Sequence, residues 1–242
     1  MSKLQNISYI SGMERKKFLL ISAGGSGQRM GSDIPKQFLS LGGKAILQLS
    51  IERFLAAESG LKIVTVLPKA SMQWWRDYCQ VRSFNVPQIL VEGGFTRFHS
   101  VKNALEKIPD GAVVAVHDGV RPFVGVPLIR EMFSRMENCR ALIPVVPATD
   151  TLKVLDLRDG TLEESLPAPD RSRIWCAQTP QMFLSEELRA AYSQAYDTAF
   201  TDDASVASAY GIPLSFIQGQ RYNIKITTPE DLPVAEALLG VL

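Results

Sequence analysis

Three short stretches of the 242-residue chain carry residue types suited to phosphate chemistry. The first is Ala23-Gly24-Gly25-Ser26-Gly27-Gln28-Arg29-Met30-Gly31, with Pro35-Lys36 shortly after it. Consecutive glycines let backbone N–H groups approach phosphate oxygens with no Cβ in the way. Arg29 and Lys36 add two cations able to meet negative charge that grows at one phosphorus. A dinucleotide fingerprint fails, because Met30 stands where the third glycine of G-x-G-x-x-G, counted from Gly25, would fall. No Gly-Lys-Ser/Thr follows, so a Walker loop fails too. A triphosphate suits the loop better than either; a tight strand-to-helix turn with solvated charges is the competing reading.

In the second stretch, Glu92-Gly93-Gly94-Phe95-Thr96-Arg97-Phe98-His99-Ser100, two glycines precede a helix start. Free N–H groups there suit phosphates or polar base edges. Alone, the stretch reads as a plain loop, and His99 as a structural histidine rather than a base. The third, His117-Asp118-Gly119-Val120-Arg121-Pro122, ends a very apolar segment with adjacent charges of both signs. Asp118 suits a sugar hydroxyl or a metal ion, and Arg121 a phosphate gripped bidentately. A structural Asp–Arg pair is the alternative. Thr151, Arg171, Thr201 and Lys225 individually read as surface residues.

Each of these stretches follows a strand candidate. Short Val- and Ile-rich runs at Phe18–Ser22, Lys62–Leu67, Gln88–Val91, Ala112–His117 and Ala141–Val146 alternate with helical periods near Ala45–Ala57, Met72–Ser83, Arg97–Ile108 and Pro127–Glu137. Ile46, Leu47, Ile51, Phe54 and Leu55 fall on one helix face. Such alternation predicts an α/β domain whose largely parallel sheet is covered on both faces. Ligands of such sheets bind outside the strands' carboxyl ends, where the winding reverses. After Val146 the pattern changes to two strand-like runs, Thr151–Leu157 and Thr161–Leu166, around Asp159-Gly160, a strong hairpin signal. A lone hairpin is marginal in water, so this one lies on its own domain or reaches a second subunit. Ile174–Gln178 reads as strand. Helices near Glu186–Tyr196 and Asp203–Tyr210, a strand near Leu214–Ile217 and a segment Asn223–Ile226 precede a last helix. Thr228-Pro229-Glu230-Asp231 looks like that helix's cap, although Pro233 argues for a later start.

Composition narrows the classes. Lys and Arg total 26 against 25 Asp and Glu, so no global basic field points to nucleic acid. Three cysteines without a C-x-x-C pair disfavour a disulfide framework or zinc site and fit a reducing cytoplasm. Only two histidines are present, which disfavours chemistry needing several imidazoles. The apolar run Phe18–Ile21 stops at Ser22, too short for a signal peptide, and nowhere do about 18 apolar residues run together as a membrane span requires. Residues 1–15 read as a flexible N-terminal extension, 16–242 as one domain, and about 147–171 as a protruding β-arm.

Taken together, the first stretch with Pro35-Lys36-Gln37-Phe38 resembles the nucleotide-sugar pyrophosphorylase type of nucleotidyltransferase. Glu92-Gly-Gly-x-x-Arg-x-x-Ser-Val, His117-Asp-Gly-x-Arg-Pro, Asp150-Thr-x-Lys, Gln178-Thr-Pro-Gln, Thr201-Asp-Asp-Ala-Ser and Asn223-Ile-Lys-x-Thr-x-Pro-Glu-Asp-Leu narrow the likeness. Over residues 16–242 the chain resembles the methylerythritol phosphate cytidylyltransferases of non-mevalonate isoprenoid synthesis. The resemblance implies a Rossmann-like doubly wound fold of nucleotide-diphospho-sugar transferase type. It also implies transfer of CMP from CTP to 2-C-methyl-D-erythritol 4-phosphate, or, as the alternative, to another polyol phosphate such as ribitol 5-phosphate. It assigns Arg29 and Lys36 to catalysis and Ala23, Gly24, Gly25, Gly94, Phe95, Ser100 and Gly119 to CTP. Asp118, Arg121, Thr151, Arg171, Thr201 and Lys225 would bind the acceptor. Thr151 and Arg171 would come from a partner's arm in a homodimer, and Mg2+ would be held mainly by the triphosphate, with no protein metal ligands. Departures are Gly24 where alanine is common, Gln28 where a basic residue is frequent, and Phe95 where an acid is frequent. The last leaves backbone recognition of cytosine.

Overall fold

The computed structural model describes residues 15–25 and 34–240. Gln28, Arg29 and all but the last residue of the expected N-terminal extension lie outside the described residues. The first strand, β1 (Lys16–Ser22), is the axis of the domain. It pairs in parallel with β4 (Lys62–Leu67) on one side and β6 (Ala112–Asp118) on the other. Beyond β4 lies β5 (Gln88–Glu92), also parallel. The chain therefore winds outward through β4 and β5 and then reverses across β1, which creates the switch point expected of a ligand crevice.

Period-two alternation along β1 explains why both faces are covered. Leu19 and Ile21 enter one core with Phe54 of α1 (Ile46–Ala57), Trp75 of α2 (Lys69–Val81) and Met132 of α4 (Val126–Arg135). Phe18 and Leu20 enter the other, with Val101 of α3 (Arg97–Leu105), Leu188 of α5 (Ser185–Ala191) and Val206 of α6 (Asp203–Ala209). A continuous apolar strand thus feeds two layers of helices, which a half-exposed strand could not do.

The far side of the sheet is mixed. β11 (Gln181–Leu184) pairs antiparallel with both β6 and β7 (Ala141–Pro147). β10 (Trp175–Ala177) runs antiparallel and β12 (Ser215–Gln218) parallel to β7. The expected strand Ile174–Gln178 is thus only its central three residues, and β11 was not foreseen. Its four residues follow Pro180 and are too few to show a period. Also unforeseen is the small pair β2 (Ser40–Leu41) and β3 (Lys44–Ala45), turned by Gly42 and Gly43 at positive φ.

Residues 223–226 form no strand; Ile226 instead donates to the Val120 carbonyl and joins a small core with Phe123 and Leu41. The last helix, α7 (Asp231–Leu239), starts earlier than Pro233 suggested. Pro233 sits in its first turn, where N–H groups have no intrahelical partner to lose. Asp231 accepts from the Thr227 and Thr228 amides and closes that end.

β8 (Val154–Arg158) and β9 (Thr161–Leu166) form a two-stranded sheet of their own. Asp159 and Gly160 both have positive φ, as a two-residue turn matching strand twist requires. The hairpin is not buried against its own domain: Leu157 and Leu162, opposite each other, are 71% and 65% exposed. Among the described residues, no helix is long and apolar enough to cross a membrane.

Candidate active site

The carboxyl ends of β1, β4, β5 and β6 bring two of the glycine stretches and the Asp118 run together. Ala23 continues from β1 and donates to the Val66 carbonyl at 3.0 Å. Buried Gln37 donates to the Ala23 carbonyl at 2.7 Å and reaches the Gly25 carbonyl at 3.4 Å, fixing the start of the glycine loop. Lys36, its neighbour, is half-buried at the start of a single 3-10 turn. Gly24 lies against the second stretch, because a Cβ built on it would stand 3.6 Å from the Ser100 hydroxyl. That hydroxyl accepts from the Gly94 amide at 3.0 Å and donates to the Thr96 carbonyl at 2.9 Å.

Two glycines here sit at close contacts, Gly94 the more strictly. A Cβ on Gly94 would fall 2.5 Å from the His99 Cβ, inside any tolerable separation. One on Gly119 would lie 3.0 Å from Leu47 and 3.1 Å from Ala23. Gly119 donates to the Ser22 carbonyl at 2.9 Å and accepts from Ser50 at 3.1 Å, so β1 and the loop after β6 are tied at backbone level. Phe95 projects fully into solvent beside this crevice. His99 is held by the α3 N-cap, its Nδ1 being 2.8 Å from Thr96 Oγ1.

Asp118 ends β6 in a cluster of cations. Its Oδ2 lies 3.0 Å from Lys225 Nζ and 3.3 Å from Arg121 Nε, and its Oδ1 lies 3.8 Å from Arg97 Nε. Burial alone would raise its pKa; Arg97, Lys225 and Arg121 outweigh burial and hold it well below the usual carboxylate range. Arg121 also donates to the Asn223 carbonyl at 2.8 Å, which brings the segment carrying Lys225 to this point. Arg97 donates from Nη1 and Nη2 to both oxygens of fully buried Asp203, at 2.9 and 2.6 Å. Burial would lower the Arg97 pKa, but Asp203 and Asp118 more than reverse that. The Asp118–Arg121 pair, the alternative reading of this stretch, does form, but within a larger set with cations in excess of carboxylates.

The sequence-based residues divide accordingly. Ala23, Gly24, Gly25, Gly94, Ser100 and Gly119 converge through backbone contacts, and Asp118, Arg121 and Lys225 meet directly. Thr201 is exposed two residues ahead of Asp203. Thr151 and Arg171 are exposed beside the hairpin, with Arg171 donating to the Thr149 carbonyl at 2.8 Å. Neither makes a described contact with the Asp118 cluster. Sequence reasoning missed Gln37, Arg97, Asp203, Thr179 and Asn223 as site-building residues. All five stand inside the motifs of the sequence, but nothing in a sequence shows which carboxylate or carbonyl a side chain will meet.

The fold and these glycine loops define the class: an α/β domain of the nucleotidyltransferase type. Residues 18–241 match the family model IspD, 2-C-methyl-D-erythritol 4-phosphate cytidylyltransferase. The chain is 45% identical to the enzyme of that name from Bacteroides thetaiotaomicron, covering 93% of this chain and all of the relative. It is 46% identical to that of Porphyromonas gingivalis W83, covering 94% and 99%. The crystal structure of the Francisella tularensis 2-C-methyl-D-erythritol 4-phosphate cytidylyltransferase superposes with a TM-score of 0.71 at 32% identity, over 92% of this chain and 99% of that one. The chain belongs to the 2-C-methyl-D-erythritol 4-phosphate cytidylyltransferase family.

Proposed function

We propose that the protein transfers CMP from CTP to 2-C-methyl-D-erythritol 4-phosphate, releasing pyrophosphate, in isoprenoid precursor synthesis. The observation that carries this reading is the cation cluster around Asp118, placed beside a backbone crevice built by Ala23–Gly25, Gly93–Gly94 and Gly119. The crevice suits a nucleotide, with Gly94, Phe95 and Ser100 contacting the base through the backbone and the Ser100 hydroxyl. The cations suit an acceptor phosphate, gripped by Arg121 and Lys225, while Asp118 and Thr201 orient the polyol.

An oxygen of the acceptor phosphate attacks the α-phosphorus. A new P–O bond forms, the bond to the bridging oxygen breaks, and pyrophosphate leaves. The monoester is already ionised near neutral pH, so no side chain need take a proton. Catalysis is in-line positioning and charge neutralisation. Arg29 and Lys36 stabilise the charge that builds at the α-phosphorus. A magnesium ion would be held mainly by the triphosphate oxygens and would supply charge neutralisation on the pyrophosphate side. Asp118, its two oxygens already facing three cations, is a poor ligand for a further cation.

Thr151 and Arg171 act from the arm of a second subunit. The uncovered leucines of the hairpin support this, since a homodimer would bury them. Free Cys79, Cys139 and Cys176 fit a reducing cytoplasm. Lys36→Ala tests the catalytic assignment. It should lower kcat on the order of 10²–10³-fold, the usual loss for one transition-state contact, while CTP binding weakens far less. Near-normal turnover would remove Lys36 from catalysis.

A further inference from the structure

Arg97 is the cation of the Asp118 cluster to which this chemistry gives no task. It is the first residue of α3, so its backbone is continuous with the Gly93–Thr96 loop assigned to the nucleotide. Its guanidinium is anchored elsewhere. Both outer nitrogens donate to Asp203, the first residue of α6 and two residues after Thr201, which is assigned to the acceptor side. Asp203 is itself held by the Tyr192 hydroxyl at 2.5 Å. The remaining Nε edge faces Asp118 Oδ1. A planar fork with donors in fixed directions can hold two carboxylates at a set angle; an ammonium group cannot.

The two oxygens of Asp118 divide the cations between them. Oδ2 faces Arg121 and Lys225, the groups that must grip a phosphate, whereas Oδ1 faces Arg97 Nε at 3.8 Å, an ion-pair distance rather than a hydrogen bond. Without Arg97, the buried carboxylate has only Arg121 and Lys225 to neutralise it, and it competes with the incoming phosphate for both. We propose that Arg97 is a positioning residue. Anchored on α6 by Asp203, it engages Asp118 through its Nε edge, leaving Arg121 and Lys225 available to the acceptor phosphate. The inference rests on the functional reading above and adds to it a determinant of acceptor binding.

The test uses the full chain, with pyrophosphate release measured from CTP, magnesium and methylerythritol phosphate, and thermal unfolding followed alongside. Arg97→Lys keeps the charge and loses the fork. The double variant Arg97→Gln/Asp203→Asn removes both charges, so no buried carboxylate is stranded and Tm returns toward that of the unaltered chain. In both, KM for methylerythritol phosphate should rise about tenfold or more, while KM for CTP changes less than about threefold. A purely structural strut would instead give a double variant with restored Tm and unaltered kinetics. That result, unaltered kinetics in Arg97→Lys, or an equal rise in both KM values overturns the proposal. Arg97→Lys decides the matter alone should the double variant not fold. If the unaltered chain releases no pyrophosphate, the functional reading fails and this inference with it.

Discussion

His117 sits one residue before Asp118, fully buried, and its surroundings predict a measurable pH dependence of stability. Its Nε2 lies 3.1 Å from the Arg121 carbonyl, which can only accept, so Nε2 carries the proton. Nδ1 then accepts from the Thr179 hydroxyl at 3.0 Å, and that oxygen in turn accepts from the Asp118 amide at 3.1 Å. A second proton on the ring would break this chain of bonds in a site without water's dielectric. Burial pushes the imidazole pKa from 6.5 down to about 4, the Asp118 charge offsetting only part of the effect. The unfolded chain therefore takes up a proton that the native state refuses. Stability from this group is complete above the unfolded value, is lost as pH falls toward the native one, and changes no further below it. Between about pH 7 and about pH 5 the loss is about 2 kcal/mol. The depressed carboxylates of Asp118, Glu58 and Glu186 lose their contribution only at lower pH, as they titrate below their unfolded values near about 4. Urea unfolding across this range should show the decline, and His117→Gln, although less stable throughout, should nearly abolish the slope. A variant that keeps the full slope would refute the assignment to His117.

Gly94→Ala would drive a methyl group into His99 and move the amide that Ser100 accepts, so KM for CTP should rise about tenfold or more with the fold retained. Unchanged CTP kinetics would place the nucleotide elsewhere. For the arm, Arg171→Ala and Lys36→Ala should each be nearly inactive, yet mixing them should restore one intact site in each heterodimer. Random exchange makes about half the dimers heterodimers, so roughly a quarter of the original activity should return. No recovery after proven subunit exchange would put Arg171 in its own chain's site.

The parallel half of the sheet was legible because β1, β4 and β6 are buried on both faces, and buried strands write themselves as uninterrupted apolar runs. The Asp159-Gly160 turn was legible because left-handed backbone restricts residue choice there. β11 was not, since four residues after a proline carry no period of their own and owe their conformation to β6 and β7. The same division runs through the site. Gly94 stood out in the sequence as one of two glycines before a helix start, and a Cβ there would meet His99 at 2.5 Å. Arg97 and Asp203 are 106 positions apart, and their pairing exists only once α3 and α6 pack on one face. Phe95 marks another limit: a phenylalanine where an acid is frequent was visible in the sequence, while its full exposure is plain only in three dimensions.

The central claim is cytidylyl transfer to a particular polyol phosphate, and pyrophosphate release tests it most directly. The purified chain would be given magnesium and CTP, ATP or GTP in turn, each with methylerythritol phosphate, ribitol 5-phosphate or no acceptor. The account predicts release that requires CTP and an acceptor, with methylerythritol phosphate giving by far the highest kcat/KM. Equal use of ribitol 5-phosphate, equal use of purine triphosphates, or no release with any pair would contradict it.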